Sequence, residues 1–182
     1  MTIYVGFLRG INVGGNNKIK MADLKHMLES LGFTRVQTYI QSGNVVFEAE
    51  EAGEQLLQAQ IEAEISKVFG MSISVMLRTA EELEHIIETC PFSPDSLSAG
   101  ESIHLTLLKD APSREELDKL PDVAQGNDEY FLEGRELYLM LRQSILDSKL
   151  PKKYQKLSPQ TSRNWKTIMK LYAMVQAMEP RG

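Results

Sequence analysis

A single cysteine, Cys90, excludes an intramolecular disulfide and any CxxC metal site. Histidine is nearly as scarce: His26, His85 and His104 are scattered and show no H-E-x-x-H spacing, so no metal centre is expected. No apolar run approaches the length of a membrane span, and no membrane role is expected. The opening residues, MTIYVGFLRG, have no basic lead-in and no small-residue cleavage site. They read as a first strand and not as a signal peptide, which makes a cytoplasmic location the expectation. Motifs that would specify chemistry are missing as well. There is no G-x-G-x-x-G and no G-x-S-x-G. Nothing specifies a cofactor, and no convincing general base or nucleophile decides whether the chain is an enzyme. Cys90 precedes a proline and has no basic activator beside it in sequence.

What is present is an ordinary globular composition. The 182 residues are 42% hydrophobic and 25% charged, enough for one domain or two small fused ones, and far from disordered or coiled-coil chains. The net charge of −5 conceals an asymmetry. Residues 1–48 carry five Lys/Arg against three Asp/Glu, residues 49–141 six against twenty, and residues 142–182 nine against two. An acidic middle repels a long polyanion, so local anion binding fits better than a broad nucleic-acid groove.

Ile3–Leu8 alternates like a strand, with Ile3, Val5 and Phe7 on one side and Tyr4 and Leu8 on the other. A glycine- and asparagine-rich loop follows. Met21, Leu24, Met27, Leu28 and Leu31 then recur at helical spacing and stop at Gly32. RVQTYI and NVVFEA are β-rich and separated by QSG, a hairpin connection. A second helix is expected over residues 51–70, with Leu56, Leu57, Ile61, Ile65, Val68 and Phe69 as its apolar face, before a fourth strand in SISVMLR. The order β-α-β-β-α-β is the split βαβ arrangement of ferredoxin-like folds. After a helix and a Pro/Ser/Gly stretch, the order returns in SIHLTLL, SREELDKL, EYFLE and ELYLML, with helical material to the end. The expectation is an α+β protein of duplicated ferredoxin-like units with antiparallel sheets. Its parts are a unit at 1–80, a helix and linker at 81–100, and a second, degenerate unit with a C-terminal helix at 101–182.

In that topology the loop after strand one, the turn between strands two and three and the entry to strand four share one end of the sheet. Three stretches attract attention. In the first, FLRGINVGGNNK, Gly10 and Gly15 have the G-x-x-x-x-G spacing of a phosphate loop, but Asn16 and Asn17 stand where Lys and Ser/Thr belong. What survives is a glycine-rich turn between a strand and a helix, flanked by Arg9 and Lys18, that can hold an anion or simply satisfy left-handed backbone geometry. The second is the QSGN turn, Gln41–Asn44, where Gly43 and Asn44 suit the turn and Gln41 and Ser42 are left as polar groups beside Arg9 and Asn12. The third is SPQTSRNWKTIMKL. Thr161 or Ser162 is expected to cap the last helix, which places Arg163, Asn164, Trp165 and Lys166 in its first turn. Cations there oppose the helix dipole, so an acidic partner or a bound anion is expected. The preceding KLPKKYQKLSPQ interleaves Tyr154 with lysines, which is more often a solvated face than a nucleic-acid contact.

LRGINVGGNNKIKMADLKHMLESLGFTRVQTYIQSGNVVF, followed by TSRNWKTIMKL, resembles the bacterial family known as domain of unknown function 1697. The resemblance implies duplicated ferredoxin-like units and no assigned activity. Its pattern falls on Arg9, Gly10, Asn12, Gly14, Gly15, Ser42, Gly43, Asn44, Thr161, Arg163, Asn164 and Trp165.

Taken together, Arg9, Asn12, Gly14, Gly15, Gln41, Ser42, Asn44, Arg163, Asn164 and Lys166 are the expected ligand-binding set. The expected ligand is a small anion, a phosphorylated metabolite or a nucleotide. Two other readings stand beside it. One is a nucleic-acid module of RRM type, weakened because NVVFEA offers only Phe47 for stacking. The other is a structural or interaction protein whose motifs serve turns and docking.

Overall fold

The computed structural model describes residues 1–120, 127–145 and 147–179. The chain divides into two compact units, Met1–His85 with Lys170–Gly182, and Ile86–Met169. No helix among the described residues is long and apolar enough to cross a membrane.

The first unit contains β1 (Thr2–Leu8), α1 (Met21–Ser30), β2 (Thr34–Tyr39), β3 (Asn44–Ala49), α2 (Glu54–Phe69) and β4 (Val75–Thr79). Its four strands lie in the order β2-β3-β1-β4, with every neighbouring pair antiparallel. Strand periodicity sends Tyr4 and Leu8 to one face, where they join Val45, Phe47, Val75 and Leu77 and the inner residues of the two helices in a single core. Phe33 and Phe47 stack there at 4.6 Å between ring centres. Val5, Phe7, Val46 and Met76, on the opposite face, are buried as well. The apolar face expected for α2 is only partly right. Leu57, Ile61 and Ile65 are buried, but Leu56 and Val68 are 62% and 52% exposed. The inward position beside Leu57 belongs instead to Gln58, whose Oε1 accepts the Leu77 N–H of β4 at 3.0 Å.

Next come α3 (Ala80–Thr89) and the second unit's β5 (Ser102–Leu108), α4 (Arg114–Asp118), β6 (Glu129–Glu133), β7 (Glu136–Leu141), α5 (Leu150–Lys153) and β8 (Gln160–Asn164), followed by α6 (Trp165–Met178). The sheet order β6-β7-β5-β8 repeats that of the first unit position for position. The repeat is therefore complete, fourth strand included.

That strand corrects the sequence reading. Gln160–Asn164 pairs antiparallel with β5, and the helix begins only at Trp165. Thr161 and Ser162 are therefore not caps, and Arg163 and Asn164 are not in a helical turn. Asn164 occupies the junction instead, where its Oδ1 accepts the Lys166 N–H at 2.9 Å. The strand alternates inside and out, with Thr161 and Arg163 buried between exposed Ser162 and Asn164. Its buried members are polar, so hydropathy periodicity could not reveal it.

The two sheets agree in register along their first and fourth strands, although β2 carries a bulge against β3 that β6 lacks against β7. Val5 faces Arg78 across β1 and β4, and Leu105 faces Arg163 across β5 and β8. Both arginines are buried, and each donates to the carbonyl of the preceding residue at 2.9 Å. Each is followed by a capping residue and a helix. Thr79 and Glu82 form a reciprocal capping box at 3.0 and 3.1 Å, as Asn164 and Lys166 form the other cap.

Candidate functional site

The duplication supplies an internal standard for the connection between the first strand and first helix of each unit. In the second unit that connection runs from Lys109 to Ser113, five residues closed by a Ser113–Glu116 capping box. In the first unit it runs from Arg9 to Lys20, twelve residues. The strand ends are equivalent. Leu8 N–H donates to Gly43 O and Arg9 N–H to Ser74 O, while Leu108 N–H donates to Arg135 O and Lys109 N–H to Pro159 O. The extra length is thus an insertion that the fold does not require.

The insertion folds into a miniature hairpin. Val13 and Asn16 form a bridge, Asn16 N–H donates to Val13 O at 2.9 Å, and Asn12 N–H donates to Asn17 O at 3.0 Å. At its tip Gly14 and Gly15 have φ of 57° and 79°, the pair of left-handed residues that a two-residue type I′ turn demands. Asn12 and Asn17 are left-handed too, at 55° and 50°, a conformation asparagine tolerates better than most residues. The unusual composition of the loop therefore has a backbone cause. Asn17 Nδ2 also donates to Gly10 O at 3.2 Å, bracing the base of the hairpin.

Asn12 fixes this flap to the rest of the unit. Its Nδ2 donates to Ile19 O at 3.0 Å and to Gln41 O at 2.8 Å, and its Oδ1 accepts the Ile19 N–H at 2.9 Å. The loop and the Ile40–Gly43 turn are neighbours, as the topology required. Ile11, buried beneath the flap, packs so tightly against Gly43 that a Cβ there would lie 2.7 Å from Ile11 Cδ1. Asn44, wholly buried, donates from Nδ2 to Tyr39 O and to Ser42 Oγ, both at 2.9 Å, and closes the turn from below.

Between the flap, the turn and α1 lies a cavity of about 440 Å³ lined by Asn12, Gly15, Lys18, Ile19, Lys20, Asp23, Gln41 and Phe69. Three of the residues expected from sequence, Asn12, Gly15 and Gln41, reach it. Gly14 is exposed at the flap tip, and Arg9 is exposed where β1 ends. Lys20, Asp23 and Phe69 were not expected. Lys20 precedes α1 without a side-chain cap on the helix's first amides, and Asp23 is the acidic residue of its first turn. Phe69 ends α2, which the topology brings to this end of the sheet; its place at the entry to β4 was the available signal.

The remaining expected residues lie in the second unit. Arg163 is 7% exposed, and its Nη1 donates to Thr161 Oγ1 at 2.6 Å and to Ser162 O at 2.9 Å. Burial lowers its guanidinium to about 10. Asn164 and Lys166 make the cap described above and are exposed. Trp165 is buried and lies 6.2 Å from the Tyr138 ring, a packing contact. Burial also raises the Cys90 thiol, which opposes thiolate chemistry there. In the first sheet the face that RRM domains present to bases holds Val5, Phe7 and Val46, all buried, so these strands offer no stacking platform.

The family model described as protein of unknown function (DUF1697) matches residues 1–138, and the chain belongs to that family. A conserved bacterial protein, SP0830 from Streptococcus pneumoniae, has a similar structure, with a TM-score of 0.73 and 25% identity. The likeness covers 95% of this chain and 98% of that one. No curated protein matches the chain.

Proposed function

We propose that the cavity beneath the flap of the first unit binds a small phosphate-bearing anion. The observation that carries the reading is the meeting of Lys18 and Lys20 with Gly15 and Gln41 around about 440 Å³, within the range of about 300–1,000 Å³ usual for ligand pockets. Lysine ammonium groups serve as point charges for phosphate, and the first amides of α1 lack a side-chain cap, with Asp23 as the one carboxylate among the lining residues. Gly14, Ser42 and Arg9 are not among the residues that line the cavity. In this reading Asn12 and Asn44 act by holding the flap and the turn, and Arg163, Asn164 and Lys166 act by building the end of β8 and the start of α6.

The test is thermal unfolding with inorganic phosphate, sugar phosphates and nucleotides, using the wild type and the Lys18→Ala/Lys20→Ala double variant. A ligand specific to the folded state at 100 times its Kd adds about 2.7 kcal/mol. The reading expects a shift in the wild type that the double variant loses. Equal shifts in both proteins would refute it, as would none in either.

A further inference from the structure

Resting on that reading of the cavity, we infer that its occupant is a nucleoside monophosphate whose base lies in a second cavity continuing the first. This second cavity, about 340 Å³, is lined by Asp23, His26, Met27, Ser30, Val68 and Phe69. Asp23 and Phe69 line both, so the two form one trough with this pair at the junction. On α1, residues 23, 26, 27 and 30 share one helix face, and seven steps of 1.5 Å give that floor a length of about 10 Å. A nucleoside is of similar length.

The chemistry changes along the trough in the order a nucleotide requires. Lys18 and Lys20 stand at one end, suited to phosphate. The Asp23 carboxylate follows and accepts from vicinal hydroxyls, as acidic residues do from ribose in dinucleotide sites. From that junction Phe69 and Val68 present an aromatic ring and an aliphatic wall on which a planar base can rest, while Met27, in the same lining, is only 3% exposed. His26 adds hydrogen-bonding groups for the edge of the base, and the Ser30 hydroxyl, which donates to Met27 O, is left as an acceptor. Val68 is more than half exposed, so a base seated in this cavity would cover apolar surface. A sugar phosphate would leave this half of the trough empty.

Isothermal titration with inorganic phosphate, ribose 5-phosphate, AMP, GMP, CMP and UMP tests the assignment. The proteins are the wild type, Val68→Glu and Val68→Lys, with circular dichroism confirming that the variants fold. At least one nucleoside monophosphate is expected to bind about tenfold or more tightly than ribose 5-phosphate. Both Val68 variants are expected to remove that margin while leaving ribose 5-phosphate within about threefold of wild type. Equal affinity for ribose 5-phosphate and every nucleotide, or a margin that both variants retain, overturns the base assignment and leaves the anion cavity standing. Binding of no probe overturns both.

Discussion

Replacing Asn12 by alanine removes its three side-chain bonds to Ile19 and Gln41, at 3.0, 2.8 and 2.9 Å, and leaves a residue with a Cβ at φ 55°. Each bond contributes about 0.5–1.5 kcal/mol net. A left-handed alanine costs roughly 1–2 kcal/mol more. The loop lies at the surface, where water partly replaces lost partners, so the expected total is about 2–4 kcal/mol and not the arithmetic maximum. Much of it falls on local opening, because the flap can detach without unfolding the unit. Amide exchange of Ile19, whose N–H donates to Asn12 Oδ1, is therefore the assay of choice. Asn12→Ala is expected to speed that exchange by about tenfold or more, the equivalent of 1.4 kcal/mol. Asn12→Gly loses the same bonds without the steric cost and is expected to be milder by about 1 kcal/mol. Unchanged Ile19 exchange in Asn12→Ala would refute the clamp.

Two further predictions concern the same turn and the second unit. Gly43→Ala combines φ 91° with contacts of 2.7 Å to Ile11 Cδ1 and 3.0 Å to Leu8 Cβ, whereas Gly14→Ala, at φ 57°, meets nothing within 4 Å. In chemical unfolding Gly43→Ala should cost about 2–4 kcal/mol and Gly14→Ala about 1 kcal/mol, and equal costs would refute the packing account. At Asp128 burial raises the carboxyl pKa, but the Arg142 N–H at 2.8 Å, the Gln143 amide at 2.7 Å and the Ser148 hydroxyl outweigh it, and the net shift is downward. The unfolded chain then binds the proton first, so this stabilisation is complete above about pH 4 and disappears as pH falls through the lower folded value. The stability difference between wild type and Asp128→Asn should accordingly narrow below about pH 4, and a difference independent of pH would count against the assignment.

The first unit was legible because its strands are short β-rich apolar runs and its helices stop at Gly32 and Gly70, both left-handed in the structure. The fourth strand of the second unit was hidden because its inward residues are Thr161 and Arg163, which a hydropathy pattern reads as surface. Register with β5 makes it a strand, and that is tertiary information. The same concealment masked the duplication of Arg78 and Arg163, visible only once both strands are aligned on their partners. At the site, the glycines and asparagines announced left-handed turns, and topology announced that loop and hairpin turn meet. Neither indicated that Val13 and Asn16 pair, or that Lys20, Asp23 and Phe69 form walls. Those walls come from packing between distant elements, and the length of the insertion has meaning only beside the five-residue connection of the second unit.

The central claim, an anion cavity beneath the flap, is tested most directly by amide chemical-shift mapping of the labelled protein during addition of inorganic phosphate and then AMP. The account predicts saturable shifts centred on Gly14, Gly15, Lys18, Lys20 and Gln41, spreading to Asp23 and Phe69 with AMP. Shifts confined to other residues, or a titration that leaves these amides unmoved, would contradict it.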